Sequence, residues 1–147
     1  MTRTEIADRI CERLAQEKAT LTTQFRTPGR VPAFVLDDLL PADMARAGFQ
    51  AYPRPSQMLK RHSLRESKYV AVQLDRYAPL LEEVVYAFQD PRVMALFTEI
   101  SGIDELLPDP RLYAGGCSAM VKDSFLNPHL DNSHDGKQEH YRELNSL

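Results

Sequence analysis

The sequence predicts a single α+β domain in which helices pack on one face of a sheet. Its 147 residues are one domain's length, and its content of 43% apolar and 27% charged residues is that of an ordinary globular protein. Apolar residues follow helical spacing through most of the chain and give way to glycine-containing, strand-type segments near its end. The order along the chain is therefore helices first and β structure last.

The first predicted helix runs from Glu5 to about Ala19 and has Thr4 as its N-cap. Proline and glycine between Phe25 and Pro32 predict a loop. The apolar run from Ala33 to Asp38 predicts a short strand, and Pro41 begins a short helix.

The middle of the chain combines a basic stretch with two further helices. Residues 59–68 are interpreted as a solvated loop or helix face, and 68–74 as a candidate strand. Apolar spacing predicts a helix over 80–88. A second helix follows, with Asp90 as its cap, Pro91 at its first position and Gly102 at its end.

Two strands are predicted near the carboxyl end. The first covers 112–121 and contains a bulge at Gly115 and Gly116, because paired glycines in a strand indicate a bend or a close backbone approach. The second covers 125–131.

Charge and cysteine content exclude several function classes. Basic residues number 18 and acidic residues 21, a net charge of -3, which gives no electrostatic reason to expect nucleic-acid or anionic-membrane binding. Cys11 and Cys117 have no metal-type spacing and are interpreted as reduced thiols. Without a secretory signal or an apolar stretch of about 20 residues, the expected location is the cytoplasm.

The densest polar chemistry lies between Phe125 and Asp135. Side chains alternate along a strand, so His129 and Asp131 are expected on one side and Leu130 in the core. One imidazole and one carboxylate are two of the three ligands in the two-histidine, one-carboxylate triad that holds non-haem Fe(II).

Three segments carry a family resemblance: Leu-Tyr-Ala-Gly-Gly-x-Ser-x-Met from Leu112, Phe-Leu-Asn-Pro-His-Leu-Asp-Asn-Ser-His-Asp from Phe125, and Tyr-Arg-x-Leu-Asn from Tyr141. Together they resemble the prolyl-4-hydroxylase-like branch of the Fe(II)/2-oxoglutarate-dependent oxygenases. The segment from Val31 to Pro41 resembles the first strand and helix of such domains.

The resemblance implies the N-terminal half of a double-stranded β-helix, or jelly roll, with supporting helices. Residues 1–30 would form an N-terminal helix and connector, and residues 31–147 the oxygenase-like core. The resemblance also implies Fe(II) held by His129 and Asp131, 2-oxoglutarate as cosubstrate, and hydroxylation of a small-molecule or peptidyl substrate. Tyr113 is a candidate cosubstrate contact, although packing of its ring in the sheet is the favoured interpretation. Asn127 and Asn132 are candidates for orienting the ligands.

The chain departs from the family pattern after Asp131, because the distal histidine and the cosubstrate-pairing cation of the family lie further downstream than Leu147. We therefore expect a C-terminally truncated oxygenase with exposed sheet edges that favour self-association. His134 or His140 is a candidate third ligand. The alternatives are a non-catalytic binding or assembly module and a structural zinc site formed by His129, Asp131, His134 and His140.

Overall fold

The computed structural model describes residues 1–112, 116–131 and 133–144. Its helices are α1 (Arg3–Phe25), α2 (Ala42–Ala51), α3 (Pro79–Ala87) and α4 (Pro91–Ser101). Its strands are β1 (Leu59–His62), β2 (Glu66–Ala71), β3 (Cys117–Ala119) and β4 (Phe125–Leu126). Short 3-10 turns cover Pro55–Gln57 and Leu74–Arg76.

The four strands form one small open antiparallel sheet with β2 at its centre. β1 pairs with one edge of β2, and both β3 and β4 pair with the other edge. The mixed helix and sheet composition agrees with the prediction, but a jelly roll is not confirmed. The predicted order of helices before strands is wrong, because β1 and β2 lie between α2 and α3.

Helix α1 starts two residues earlier than predicted. Thr2, and not Thr4, is the N-cap: its hydroxyl accepts from the Glu5 amide, and the Glu5 carboxylate accepts from the Thr2 amide. The helix also continues beyond Ala19, because Leu21 and Phe25 extend its buried stripe. No helix in the described ranges combines the length and apolarity that crossing a bilayer requires.

The larger core cluster joins α1 to α4 and to the segment before α2. Its fully buried members include Ile6, Ile10, Val93 and Ile100. The predicted strand over 33–38 is absent. Phe34 instead places its ring 6.2 Å from that of Phe25 and 6.3 Å from that of Phe97, so this apolar run fills a gap between helices.

Helices α3 and α4 confirm the predictions made for them. The Asp90 carboxylate accepts from the Arg92 amide at 2.9 Å, and Pro91 occupies the first position of α4. Gly102 ends α4 with a φ of 76°, a left-handed conformation that glycine adopts without strain.

The basic stretch over 59–68 forms a β-hairpin and not a solvated loop or helix face. Its turn is closed by Ser63, whose amide donates to the Glu66 carbonyl and whose hydroxyl accepts from the Arg65 and Glu66 amides. All residues of β1 are exposed, which explains a composition typical of a loop. The candidate strand over 68–74 corresponds to the end of β2.

A second, smaller core cluster attaches the sheet to α3. It contains Met58, Ala71, Leu74, Leu81, Leu112 and Cys117. Neither cysteine forms a disulfide. Burial raises the pKa of both thiols, which favours the protonated, unreactive form.

The two predicted C-terminal strands are much shorter than expected. Of the first, residues 113–115 lie outside the described residues, and β3 covers only Cys117–Ala119. A turn over 120–124, closed by the Ser124 amide and the Val121 carbonyl, separates β3 from β4. The two strands therefore lie in line along the same edge of β2.

Gly116 makes a close backbone approach to β2. Its φ is 113°, and a Cβ at this position would lie 2.9 Å from the Ala71 carbonyl oxygen. We expect Gly116→Ala to lower the free energy of unfolding by about 1–3 kcal/mol in urea titrations. Gly48→Ala, in α2 and with only an ordinary Val84 contact, should raise it by about 0.5–1 kcal/mol. Equal effects of the two substitutions would contradict this interpretation.

Candidate metal site

The candidate site lies where the chain leaves β4 and passes the turn of the β1–β2 hairpin. The Asn127 amide donates to the Arg65 carbonyl at 2.9 Å, and the Asn127 side-chain Nδ2 donates to the Leu64 carbonyl at 2.9 Å. These two hydrogen bonds fix the start of the segment that carries His129 and Asp131. Its position therefore depends on the hairpin.

His129 and Asp131 face each other, although not as members of a strand. The Nε2 atom of His129 lies 3.2 Å from Oδ1 of Asp131, and the side chains are 37% and 52% exposed. The predicted strand over 125–131 ends at Leu126, and Pro128 has no amide hydrogen to extend a ladder. Leu130 is 97% exposed, so its predicted place in the core is wrong.

Each ring nitrogen of His129 faces a hydrogen-bond acceptor. Nδ1 of His129 lies 2.8 Å from the Asn127 carbonyl oxygen, which can only accept. A neutral imidazole has one ring proton and donates to only one of these acceptors. The tautomer that donates from Nδ1 to Asn127 presents the lone pair of Nε2 to the Asp131 carboxylate. Two acceptors that face each other in this way need a second ring proton or a cation between them.

The spacing of the pair is compatible with neighbouring ligands on one metal ion, as it is with a direct hydrogen bond. Two atoms at about 2.1 Å from an octahedral ion lie about 3.0 Å apart when they occupy adjacent positions. The observed Nε2–Oδ1 distance of 3.2 Å is close to that value. Metal-bound histidines commonly donate their other ring N–H to a carbonyl, and the Asn127 carbonyl is placed to accept from Nδ1 of His129.

Arg142 contacts the second oxygen of the same carboxylate. Its Nη1 lies 3.3 Å from Asp131 Oδ2, and its backbone amide donates to the Ser133 carbonyl at 2.9 Å. The guanidinium therefore holds Oδ2, while Oδ1 faces His129. Such a carboxylate offers one oxygen to an ion and leaves more coordination positions open than a bidentate one.

The candidate third ligands have other partners. His134 packs its ring 4.3 Å from that of Tyr141, and its Nδ1 lies 2.8 Å from the Ser133 hydroxyl. His140 places Nδ1 3.1 Å from Asp135 Oδ2. Within the described ranges, no third histidine, cysteine or carboxylate side chain joins the pair His129–Asp131, so the third ligand stays a prediction.

A different group of ligand-type side chains does come together nearby. Asp135, Glu139 and His140 place one ligand atom each within 4.8 Å of one another, on a turn closed by the Asp135 amide and the His140 carbonyl at 3.0 Å. Of these three residues, only His140 was predicted as a ligand from the sequence. The Asp-x3-Glu-His spacing was the available signal, but it indicates a cluster only once the turn is known.

The Asp135 carboxylate is held strongly in its charged form. The hydrogen bond from His140, together with those from backbone amides, lowers its pKa to about 2. We expect His140→Ala to raise the pKa of Asp135 toward 3.8, measured by the pH dependence of its carboxyl ¹³C shift.

The sign of the pH dependence follows from this lowered pKa. Charged Asp135 stabilises the turn above the unfolded pKa, and this contribution is lost as the pH falls toward about 2. An unchanged titration in His140→Ala would contradict the assigned cause.

Two of the predicted site residues cannot be placed. Tyr113, the candidate cosubstrate contact, and Asn132, a candidate for orienting the ligands, lie outside the described residues. Asn127 has a defined place: its amides attach the segment to the hairpin, and its carbonyl contacts the His129 ring.

Comparisons with protein-family models, curated proteins and solved structures found no significant match. The site is an exposed imidazole–carboxylate pair at 3.2 Å, a distance compatible with two ligands of one ion.

Proposed function

We propose that this chain is an Fe(II)- and 2-oxoglutarate-dependent oxygenase domain that hydroxylates an unactivated C–H bond of a small-molecule or peptidyl substrate. The observation that carries the proposal is the contact of His129 Nε2 with Asp131 Oδ1, at 3.2 Å. The motif resemblance around these residues supplies the class of reaction.

The donor set fits part of such an iron site. One imidazole nitrogen and one carboxylate oxygen are two of the three ligands of the facial triad. The third ligand and a cation for the far carboxylate of 2-oxoglutarate are not assigned to residues of this chain. In this class of enzyme, the bound iron and cosubstrate supply the oxidising chemistry, and the protein positions them.

The remaining residues would position the ion and keep the site accessible. The Asn127 carbonyl is placed to accept from Nδ1 of His129, which would leave Nε2 for the ion, and Arg142 contacts one oxygen of Asp131. Both ligand side chains are at least one-third exposed, so a cosubstrate could reach an ion that they bind. A carboxylate at 131, where halogenating relatives have a small residue, favours hydroxylation.

The proposal is tested by the effect of 2-oxoglutarate on iron affinity. Fe(II) is titrated anaerobically into the full chain by calorimetry, without an organic acid, with 2-oxoglutarate, or with succinate. A cosubstrate that chelates the protein-bound ion should raise the apparent affinity of the protein for Fe(II), because the two ligands bind cooperatively. Succinate lacks the keto oxygen and should not. Equal affinities in all three titrations would contradict the proposal.

The main competing function is a non-catalytic domain with a small structural zinc site. The grouping of Asp135, Glu139 and His140 makes these three residues the favoured zinc ligands, in place of the four-residue site inferred from the sequence. Equimolar Zn²⁺ binding that is lost in His140→Ala and retained in His129→Ala would support it. That outcome would assign metal binding by this chain to the 135–140 turn.

A further inference from the structure

Strand β1 is an open edge of the sheet. It pairs with β2 on one side, and no other strand within the described ranges pairs with its second side. All 4 of its residues are exposed. An unpaired edge presents backbone donors and acceptors to any extended segment that approaches it.

The register identifies which backbone groups are available. The Ser63 amide donates to the Glu66 carbonyl at 2.8 Å, which makes these residues a hydrogen-bonded pair. Hydrogen-bonded and non-hydrogen-bonded pairs alternate in antiparallel sheets, so Arg61 and Leu59 direct their backbone groups toward β2. Lys60 and His62 therefore direct an N–H and a C=O each to the open side.

The same edge carries a concentration of positive charge. Lys60, Arg61 and Arg65 form no ion pair with any described residue, whereas the neighbouring Lys68 is paired with Glu66 at 2.7 Å. His62 adds an exposed imidazole. This edge is basic although the chain as a whole has a net charge of -3.

We propose that the β1 edge binds an extended acidic segment of a partner polypeptide by β-strand addition. The backbone of the partner would pair with Lys60 and His62, and its carboxylates would neutralise Lys60 and Arg61. Strand addition uses donors and acceptors alike. The phosphate backbone of a nucleic acid would use only the donors and would offer no N–H to the two outward carbonyls, so a peptide is the favoured occupant.

A second copy of this chain is a poor occupant of the edge. Antiparallel pairing along the whole strand would place Arg61 opposite its own copy and Lys60 opposite His62. Like charges directly opposite each other destabilise a strand pair. The self-association expected from the open sheet is therefore not expected through β1.

The alternation of side chains defines the sequence that the partner needs. Lys60 and Arg61 are adjacent in β1, so their side chains lie on opposite faces of the sheet. An antiparallel partner therefore needs two consecutive acidic residues, one opposite Arg61 and one opposite Lys60. The next residue would lie beside Leu59, which is 64% exposed and on the Arg61 side, and should be apolar. The probe is a fluorescein-labelled, end-blocked peptide, Ser-Thr-Glu-Glu-Val-Thr.

Fluorescence anisotropy with the full chain tests the charge requirement. The double substitution Lys60→Glu, Arg61→Glu should weaken binding of the Glu-Glu peptide at least about tenfold. A Lys-Lys version of the peptide should bind the double variant better than the unmodified chain. Circular dichroism verifies that the variant remains folded.

Two methylated peptides test the backbone requirement. N-methylation of the second glutamate removes an N–H that would pair with Lys60, and should weaken binding about tenfold. N-methylation of the first glutamate, whose N–H points away from β1, is the matched control and should have little effect.

Three outcomes would overturn the proposal. If the Glu-Glu and Lys-Lys peptides bind the unmodified chain equally, the basic residues serve only to protect the edge against aggregation. A single-stranded oligonucleotide could bind more tightly than the peptide. The chain could also form dimers that dissociate on the double substitution, which would make a second copy the occupant.

Discussion

Replacing His129 by alanine should weaken Fe(II) binding by on the order of 100-fold, because the substitution removes one of the two ligands that the site supplies. Asp131→Asn should act in the same direction, since a neutral amide oxygen is a weaker ligand for a divalent cation and loses the pairing with Arg142. The measurement is anaerobic calorimetry on the full chain with each variant.

His62→Ala is the matched control for this experiment. His62 is an exposed imidazole on β1, its ring 6.4 Å from that of Phe125, and it is no part of the candidate site. Its removal should leave Fe(II) affinity unchanged. Equal losses in His62→Ala and His129→Ala would indicate non-specific binding to surface imidazoles and would show that His129 is not a specific iron ligand.

The third ligand can be sought with the same assay. If His134 or His140 completes the site, its alanine variant should lose affinity to a similar extent as His129→Ala. The partners that these rings have, Tyr141 for His134 and Asp135 for His140, predict smaller losses. Retained affinity in both variants would leave a two-ligand site on this chain.

The second large effect concerns the helical core. Ile10→Ala should lower the free energy of unfolding by about 2–5 kcal/mol, because the side chain is 0% exposed and its removal leaves a cavity among packed helices. Urea titration monitored by circular dichroism gives this value. Leu64→Ala, at the 95% exposed turn of the hairpin, is the control and should change it by less than about 0.5 kcal/mol.

The outcome for Ile10 also bears on the place of α1 in the fold. α1 packs against α3 and α4 and contributes four of the six largest fully buried side chains among the described residues: Ile6, Ile10, Leu14 and Leu21. A small loss of stability in Ile10→Ala would show that α1 is peripheral to the cooperative unit.

Local signals predicted the helices well. In α4, the aspartate cap, the first-turn proline and the terminal glycine all act within a few residues, so the sequence alone specifies both ends. The start of α1 was missed by two residues because Thr2 and Thr4 are both suitable caps. The Glu5 carboxylate, which completes a capping box with Thr2, decides between them.

The sheet was harder to predict because its strands depend on distant partners. β1 is polar and exposed, and only its pairing with β2 makes it a strand. The apolar run around Phe34 has strand-type composition, but the Phe34 ring packs between those of Phe25 and Phe97. Tertiary packing therefore overrides local propensity at both positions.

The candidate site was predicted in part, but the structure brings its residues together in a different way from the predicted one. His129 and Asp131 do face each other, but the predicted strand alternation does not produce the contact, because β4 ends at Leu126. The hydrogen bonds of Asn127 to the hairpin orient the segment instead. These contacts join residues far apart in sequence, which no local pattern reveals.

Anomalous diffraction from crystals of the full chain grown anaerobically with Fe(II) tests the shared-ion geometry most directly. The shared-ion geometry predicts an iron peak within about 2.0–2.2 Å of His129 Nε2 and of one Asp131 carboxylate oxygen. An iron peak at Asp135, Glu139 and His140, or none beside His129, would contradict it.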